Sequence, residues 1–282
     1  MNIFEKLGKL DRRWIFLLLA LVCVATLLTS FRIPVRISRE VNSIYEFVDS
    51  LKTGDIIHVG IDYDPNALAE LHPMAYAVME HALQRHATIV LTTLSQNGAG
   101  MAERLMLDII DTMKVRHEID IKYGRDIVFL GYKPYYSIVI LSMGENYRIP
   151  FPADYYNTVL DSIPMMKSIQ NYDQIKAVIE LGSGNIIDAW IADANARYGV
   201  KVAIGVTGVM AADYYPYLRS GQIFGLMGGM LGAAEYEQLF RKKGTASEAM
   251  RVQVSAHVVI ILFIIFGNIG FFISRKKGRS AV

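Results

Sequence analysis

The chain has 282 residues, a net charge of +2, a 52% hydrophobic composition and one cysteine. Acidic residues outnumber basic ones between Arg32 and Arg251, so the positive balance comes from the two tails. Apart from Arg241-Lys242-Lys243, which more simply meets anionic lipid headgroups beside the second apolar segment, the clustered basic face that nucleic acid requires is missing, which argues against such a partner. The interior is free of cysteine, so it neither needs an oxidising compartment nor is damaged by one.

Residues 1–13 form a basic tail, and 14–31 carry no Asp, Glu, Lys or Arg. Their length suits a helix crossing the ~30 Å hydrocarbon core. Leu27 to Arg32 lacks a small-x-small cleavage pattern, so a retained anchor is expected rather than a removed signal peptide. Cys23 reads as a small apolar residue of that helix. Residues 252–273 repeat the pattern, and 274–282 close the chain with Arg275, Lys276, Lys277 and Arg279. The expectation is a two-pass membrane protein with both basic tails inside and residues 32–251 outside the cytoplasm. That segment contains no Asn-x-Ser/Thr acceptor.

Within the central segment, Val41, Ile44, Tyr45, Val48 and Leu51 have helical spacing. Asp55 to Tyr63 reads as a strand, followed by Asp64 as cap and Pro65 as first residue of a helix that restarts at Pro73 and runs to about His86. Ala87 to Leu94 is a second strand, leading through Ser95-Gln96-Asn97-Gly98 into a helix from Met101 to about Met113. Ile127 to Gly131 and Ser137 to Ser142 read as short strands around the turn Tyr132-Lys133-Pro134-Tyr135. Pro150, Pro152 and Pro164 break the stretch 143–173 into short helices and loop.

Ala177 to Leu181 is a strand, Gly182-Ser183-Gly184-Asn185 a turn, and Ile186 to Tyr198 a helix in which Asn185 and Asp188 are spaced for mutual capping, with Gly199 as its stop. Lys201 to Val206 is another strand, followed by Thr207-Gly208 and a helix from Val209 to about Leu218. Alternating strands and helices predict a doubly wound, mostly parallel, three-layer α/β domain held between two transmembrane helices.

In such a sheet, ligands bind where strands end and helices begin. The loops expected there are polar and small, which makes Asp62, Asp64, Ser95, Asn97, Glu145, Ser183, Asn185 and Thr207 the ligand-binding candidates. The same residue types serve equally as caps and turn formers. No phosphate-cradling or dinucleotide glycine motif is present, so no cofactor is assigned. Leu181-Gly182-Ser183-Gly184-Asn185 does not match a nucleophile elbow. Asp62, Asp64, Glu70 and His72 lie close in sequence, yet His81 and His86 lack the spacing of a helical zinc pair, and no metal is assigned.

The segment 223–234 is apolar and rich in small residues, with Gly225, Gly228, Gly229 and Gly232 in two Gly-x-x-x-Gly pairs. It is either a glycine-rich helix buried in the fold or a contact surface for another subunit or the bilayer. Two functional readings follow. The first is a noncatalytic assembly or ligand-sensing module, which assembles with itself or with other membrane proteins or senses a small polar ligand. The second is an anchored hydrolase or transferase using Asp62, Asp64, Glu145 or Glu180 as acid, base or metal ligand, which needs at least two of these to converge.

Overall fold

The computed structural model describes residues 11–29, 35–240 and 244–279. Lys6, Lys9, Ser30, Phe31, Arg32 and the run Arg241-Lys242-Lys243 lie outside the described residues. The chain divides into two compact units, Met1–Pro34 with Glu248–Val282, and Val35–Ser247.

The first unit contains helix α1 (Arg12–Leu28) and most of the last helix, Thr245–Arg279. Among the described residues one helix, Thr245–Ile273, is long and apolar enough to cross a membrane, not the two expected. At 17 residues, α1 spans about 26 Å, short of the ~30 Å hydrocarbon core. Its apolar side chains, including Trp14, Phe16, Leu21 and Leu27, are nevertheless exposed. Arg251 donates to the Thr29 carbonyl at 2.8 Å and so satisfies an orphan acceptor at the end of α1.

The second unit is built on six parallel strands in the order β3-β2-β1-β4-β5-β6. They are β1 (Ile56–Asp62), β2 (Thr88–Thr93), β3 (Ile127–Tyr132), β4 (Ala177–Gly182), β5 (Val202–Val206) and β6 (Gly225–Gly228). The first three wind outward on one side of β1, and the chain then crosses to β4 and winds the other way, giving a Rossmann-like order with its switch point between β1 and β4. Gly60 pairs with Glu180 and Asp62 with Gly182 at that junction.

The strands are buried on both faces, as parallel strands covered by helices must be. Ile57, Val59 and Ile61 alternate with His58, Gly60 and Asp62, so β1 presents an aliphatic row to one side and a polar row to the other. On the aliphatic side lie α2 (Arg39–Asp49), α3 (Leu68–Gln84), α4 (Ala99–His117) and α9 (Gly229–Leu239), with α3 packed against the other three. Helix α2 is capped by Ser38, which accepts from the Val41 amide, and buries Val41, Ile44 and Val48 at the expected spacing.

The polar side is covered by α5 (Tyr136–Glu145) and by α6 (Ile186–Ala189), which continues through a π-helical segment, Trp190–Asn195, into the turn α7 (Ala196–Tyr198). Val139, Ile140, Met143, Ile187, Trp190 and Ile191 share one apolar cluster with Val90, Val128, Val178 and Val202 of the sheet. Gly199 stops this helix at φ +69°, a conformation that costs glycine little. Helix α8 (Ala211–Ser220) connects β5 to β6 and ends in the same way at Gly221.

Three local expectations are corrected. Ser137 to Ser142 is not a strand but the middle of α5. A six-residue apolar run has no periodicity that separates the two, and the helix is what the crossover from β3 requires. Pro73 does not restart a helix, because α3 begins at Leu68 and runs through it. One backbone bond near the helix start is lost, while the stripe Leu71, Met74, Ala75 and Val78 stays buried. Neither Asp64 nor Asn185 makes a side-chain capping bond, so the proposed Asn185–Asp188 mutual cap is absent.

The glycine-rich segment also differs from expectation. It divides into β6 and the start of α9, so the Gly-x-x-x-Gly pairs do not form one helix face. All four glycines meet this unit's own atoms. A Cβ on Gly225 would overlap Ile44, on Gly228 it would lie 2.8 Å from Ala211, on Gly229 2.9 Å from Glu70 Oε2, and on Gly232 3.0 Å from the Met227 backbone. The interface role expected for them therefore has no exposed glycine stripe to rest on. Gly229 also has φ +59°, which ends the strand abruptly.

Two devices complete the unit. The exposed edge of β3 is covered by the hairpin-like segment around Ala153 and Val159, with the Tyr155 amide bonded to the Phe129 carbonyl at 2.9 Å. The last turns of α9 bind both ends of the unit. Glu235 accepts from the Ser38 amide at 2.8 Å, Gln238 donates to the Val35 carbonyl at 3.3 Å, and Glu237 accepts from the amides of Ala246 at 3.1 Å and Ser247 at 2.8 Å. Because α9 runs from the carboxyl ends of the strands toward their amino ends, both connections leave at the end opposite the switch-point loops.

Packing against Ile44 makes Gly225 intolerant of volume. Gly225→Leu is expected to destabilise the full-length protein by about 1–3 kcal/mol or more, measured as an earlier denaturant midpoint. Gly100→Ala adds a methyl that meets nothing within 4 Å, and it is expected to leave stability unchanged or raise it by up to ~1 kcal/mol.

Candidate functional site

Asp62 ends β1 at the switch point, 3% exposed. Its Oδ1 accepts from the amides of Leu94 at 2.5 Å and Ser95 at 3.1 Å and from the Thr93 hydroxyl at 3.3 Å. Its main-chain carbonyl accepts from the Ser183 amide at 3.2 Å. One residue thus ties the loop after β1 to the loops after β2 and β4. Gly98 lets the β2 loop close, since a Cβ there would overlap the Thr93 hydroxyl and lie 2.7 Å from the Ile61 carbonyl.

Glu180 lies across from Gly60, fully buried on the same polar face. A Cβ on Gly60 would occupy the position of its carboxyl group, so this glycine is needed for space rather than for backbone freedom. Asp62 Oδ2, both Glu180 carboxyl oxygens and the indole nitrogen of Trp190 make no hydrogen bond of normal geometry. They are nevertheless mutual neighbours, because Glu180 and Trp190 both bias Asp62 toward its charged form.

Burial raises the pKa of both carboxyls, that of Glu180 well above the usual range, and the adjacent Asp62 charge raises Glu180 further. Asp62 has three donors on Oδ1 and Glu180 has none, so the proton of the pair resides on Glu180. The arrangement offers a neutral carboxylic acid beside an ionised carboxylate, a combination suited to proton donation or to binding hydrogen-bond donors.

The polar row continues along β1. His58 is held between the Tyr147 hydroxyl at 2.7 Å from Nδ1 and the Thr92 hydroxyl at 2.8 Å from Nε2, with the Trp190 ring edge-on at 4.9 Å. Burial lowers its pKa to about 3, so the imidazole is neutral. The π-helical segment begins at Trp190, and this local widening of the helix sets the indole among His58, Glu180 and Asp62.

The other sequence-derived candidates divide into two groups. Ser95 and Ser183 are half-buried and bonded to Asp62 through their amides. Asp64 is half-buried with Oδ1 unpartnered, Thr207 is half-buried in the β5 loop, and Asn97 and Asn185 are exposed in the β2 and β4 loops. Glu145 does not belong to this group. It ends the ten-residue helix α5, which carries it about 15 Å from the loop after β3 toward the opposite end of the sheet. Glu70 joins the site from the first turn of α3, accepting from the Gly208 amide at 2.8 Å. Among the described residues no group of three His, Cys, Asp or Glu side chains could hold a metal ion.

Glu180, Trp190 and His58 are the residues missing from the sequence-derived set of ligand-binding candidates. Glu180 had a visible signal, an ionisable residue inside the apolar run Ala-Val-Ile-Glu-Leu. Trp190 had none, because its position depends on the π-helical register. Comparison with known proteins returns no match, whether to a protein-family model, a curated protein or a solved structure.

The pair and His58 act in opposite directions on pH-dependent stability. A carboxyl whose native pKa is raised binds more protons in the folded chain, so its contribution falls as pH rises above about 4 and continues to fall through the raised value of Glu180. His58 is lowered from 6.5 to about 3, so stability is lost as pH falls below the ordinary histidine value. Glu180→Gln is expected to flatten the loss on the alkaline side and leave the acid side in place, measured as urea midpoints between about pH 5 and pH 9.

Proposed function

We propose that this chain is a membrane-anchored, ligand-sensing module whose small polar ligand sits in the crevice over the carboxyl ends of β1 and β4. The supporting observation is the Asp62–Glu180 pair, because buried polar groups without partners are rare in folded proteins and here they lie at the topological switch point. The surrounding loops add small or polar residues, Ser183, Gly184, Asn185 and Thr207, that admit a ligand's backbone-close approach. The long apolar helix Thr245–Ile273 supports anchoring to a lipid bilayer. The exposed apolar surface of α1 is compatible with a second pass, and the topology with both basic tails inside and the α/β unit outside the cytoplasm rests on the basic flanks in the sequence alone. Homo-oligomers or complexes with other membrane proteins fit the same arrangement through these helices.

A second reading rests on the same pair. Two carboxyls converge, as an anchored hydrolase or transferase would need, with Glu180 as the acid and Asp62 as its ionised partner. Turnover of a bound compound, abolished by Glu180→Gln, would distinguish catalysis from sensing.

The sensing reading is tested by thermal unfolding of the full-length protein against a broad panel of polar metabolites. At least one compound is expected to raise the midpoint, and Asn185→Ala is expected to reduce that shift while changing unliganded stability by less than about 0.5 kcal/mol. Asp62→Asn keeps an acceptor for Leu94 and Ser95 and is expected to abolish the shift. A tenfold loss of affinity appears as about 1.4 kcal/mol less stabilisation at saturating ligand. A panel that leaves the wild-type midpoint unmoved would remove the binding-site assignment.

A further inference from the structure

The chemistry of the crevice narrows the ligand class. Three buried carboxyl oxygens, Asp62 Oδ2 and the two of Glu180, make no hydrogen bond of normal geometry, and their only nearby donors are the proton of the pair and the Trp190 indole. They share a single proton. An ammonium group carries three N–H donors and a positive charge, which is the complement of this set. We propose, building on the sensing function, that the ligand presents a protonated amine to the Asp62–Glu180 pair, in place of the proton the two carboxyls share.

Four further observations support an amine over other ligands. The loops 63–67, 94–98, 183–185 and 207–210 contain no Lys, Arg or His, so no cation neutralises the pair or receives an anionic ligand. Asp64, with Oδ1 buried and unpartnered, and Glu70, on the Gly208 amide, add negative charge to the same edge. His58 is neutral and occupied on both ring nitrogens, and Asp188 of α6 is turned to Tyr214, so neither alters the balance. Trp190 is fully buried, and its indole N–H is directed at Asp62. Its ring adds an aromatic surface that attracts cations. A bare divalent ion fits less well, because among the described residues the acidic groups do not form a three-ligand set.

Binding forms no covalent bond. The ammonium enters, and the Glu180 proton leaves to solvent as both carboxyls become ionised against the cation.

The test is isothermal titration calorimetry of the full-length protein with ethanolamine, glycine, lysine, putrescine and spermidine. Ethylene glycol, acetamide and acetate serve as uncharged and anionic controls, and two buffers of different ionisation enthalpy report proton exchange. At least one amine is expected to bind with release of up to about one proton per site. Glu180→Gln is expected to weaken it by tenfold or more and to abolish the proton release, with an unfolding midpoint at or above that of the wild type. Should that variant fail to fold, Asp62→Asn, which removes the other charged partner of the ammonium, is expected to weaken amine binding by tenfold or more. Binding of an uncharged or anionic control with sensitivity to Asn185→Ala, and no binding of any amine, overturns the amine assignment while the sensing function stands. Amine binding without proton release, or unaffected by either carboxyl substitution, also overturns it. No binding by any compound removes both.

Discussion

The carboxyl edge of the sheet depends on the placement of Asp62. One side-chain oxygen of this residue receives two amides and a hydroxyl from the end of β2, and its main-chain carbonyl receives an amide from the loop after β4. Hydrogen bonds to an ionised acceptor inside a low-dielectric interior are stronger than their counterparts in water. Three loops are therefore held by one residue, and its second oxygen is left beside Glu180. The unusual electrostatics of the site follow from this geometry.

A buried pair of like groups is costly for stability. Apolar residues of similar volume would serve the core at least as well, since desolvation of the charged form exceeds what neighbouring dipoles return. The pair persists because Gly60 gives up its side chain to make room and because a single proton removes one of the two charges. The same proton makes the site responsive. Anything that replaces it, whether a ligand donor or a change in pH, alters the charge of Glu180, the neighbour of the residue that links three loops.

The rest of the unit isolates this chemistry. His58, Thr92 and Tyr147 satisfy one another in a closed polar row beneath the pair, so burial leaves no unpaired group there. At the opposite end of the sheet, Glu235, Glu237 and Gln238 of α9 hold both connections out of the unit. Helix α9 begins beside the Gly208 loop, where Glu70 approaches both Gly208 and Gly229. Helix α9 therefore runs from the Gly208 loop to the two chain exits.

The sequence by itself determined the α/β class, the parallel strands, the apolar carboxyl-terminal helix and the location of a polar loop edge. Each of these rests on local pattern: β-branched runs, helical stripes around Ile44 and Val48, and the absence of charge over 252–273. Asp62 and Ser183 were legible as edge residues because strand ends and glycine turns mark them. Only the tertiary structure decided that Glu180 stands beside Asp62, since strands distant in sequence become neighbours through the crossover, and no local periodicity records which strand pairs with β1. It also decided that Ser137 to Ser142 is helical, that Glu145 is carried away from the site, and that Gly225 to Gly228 forms a sixth strand. Short apolar or glycine-rich segments have nearly equal local preferences, so packing against Ile44 and the β5 ladder, rather than propensity, settles their conformation.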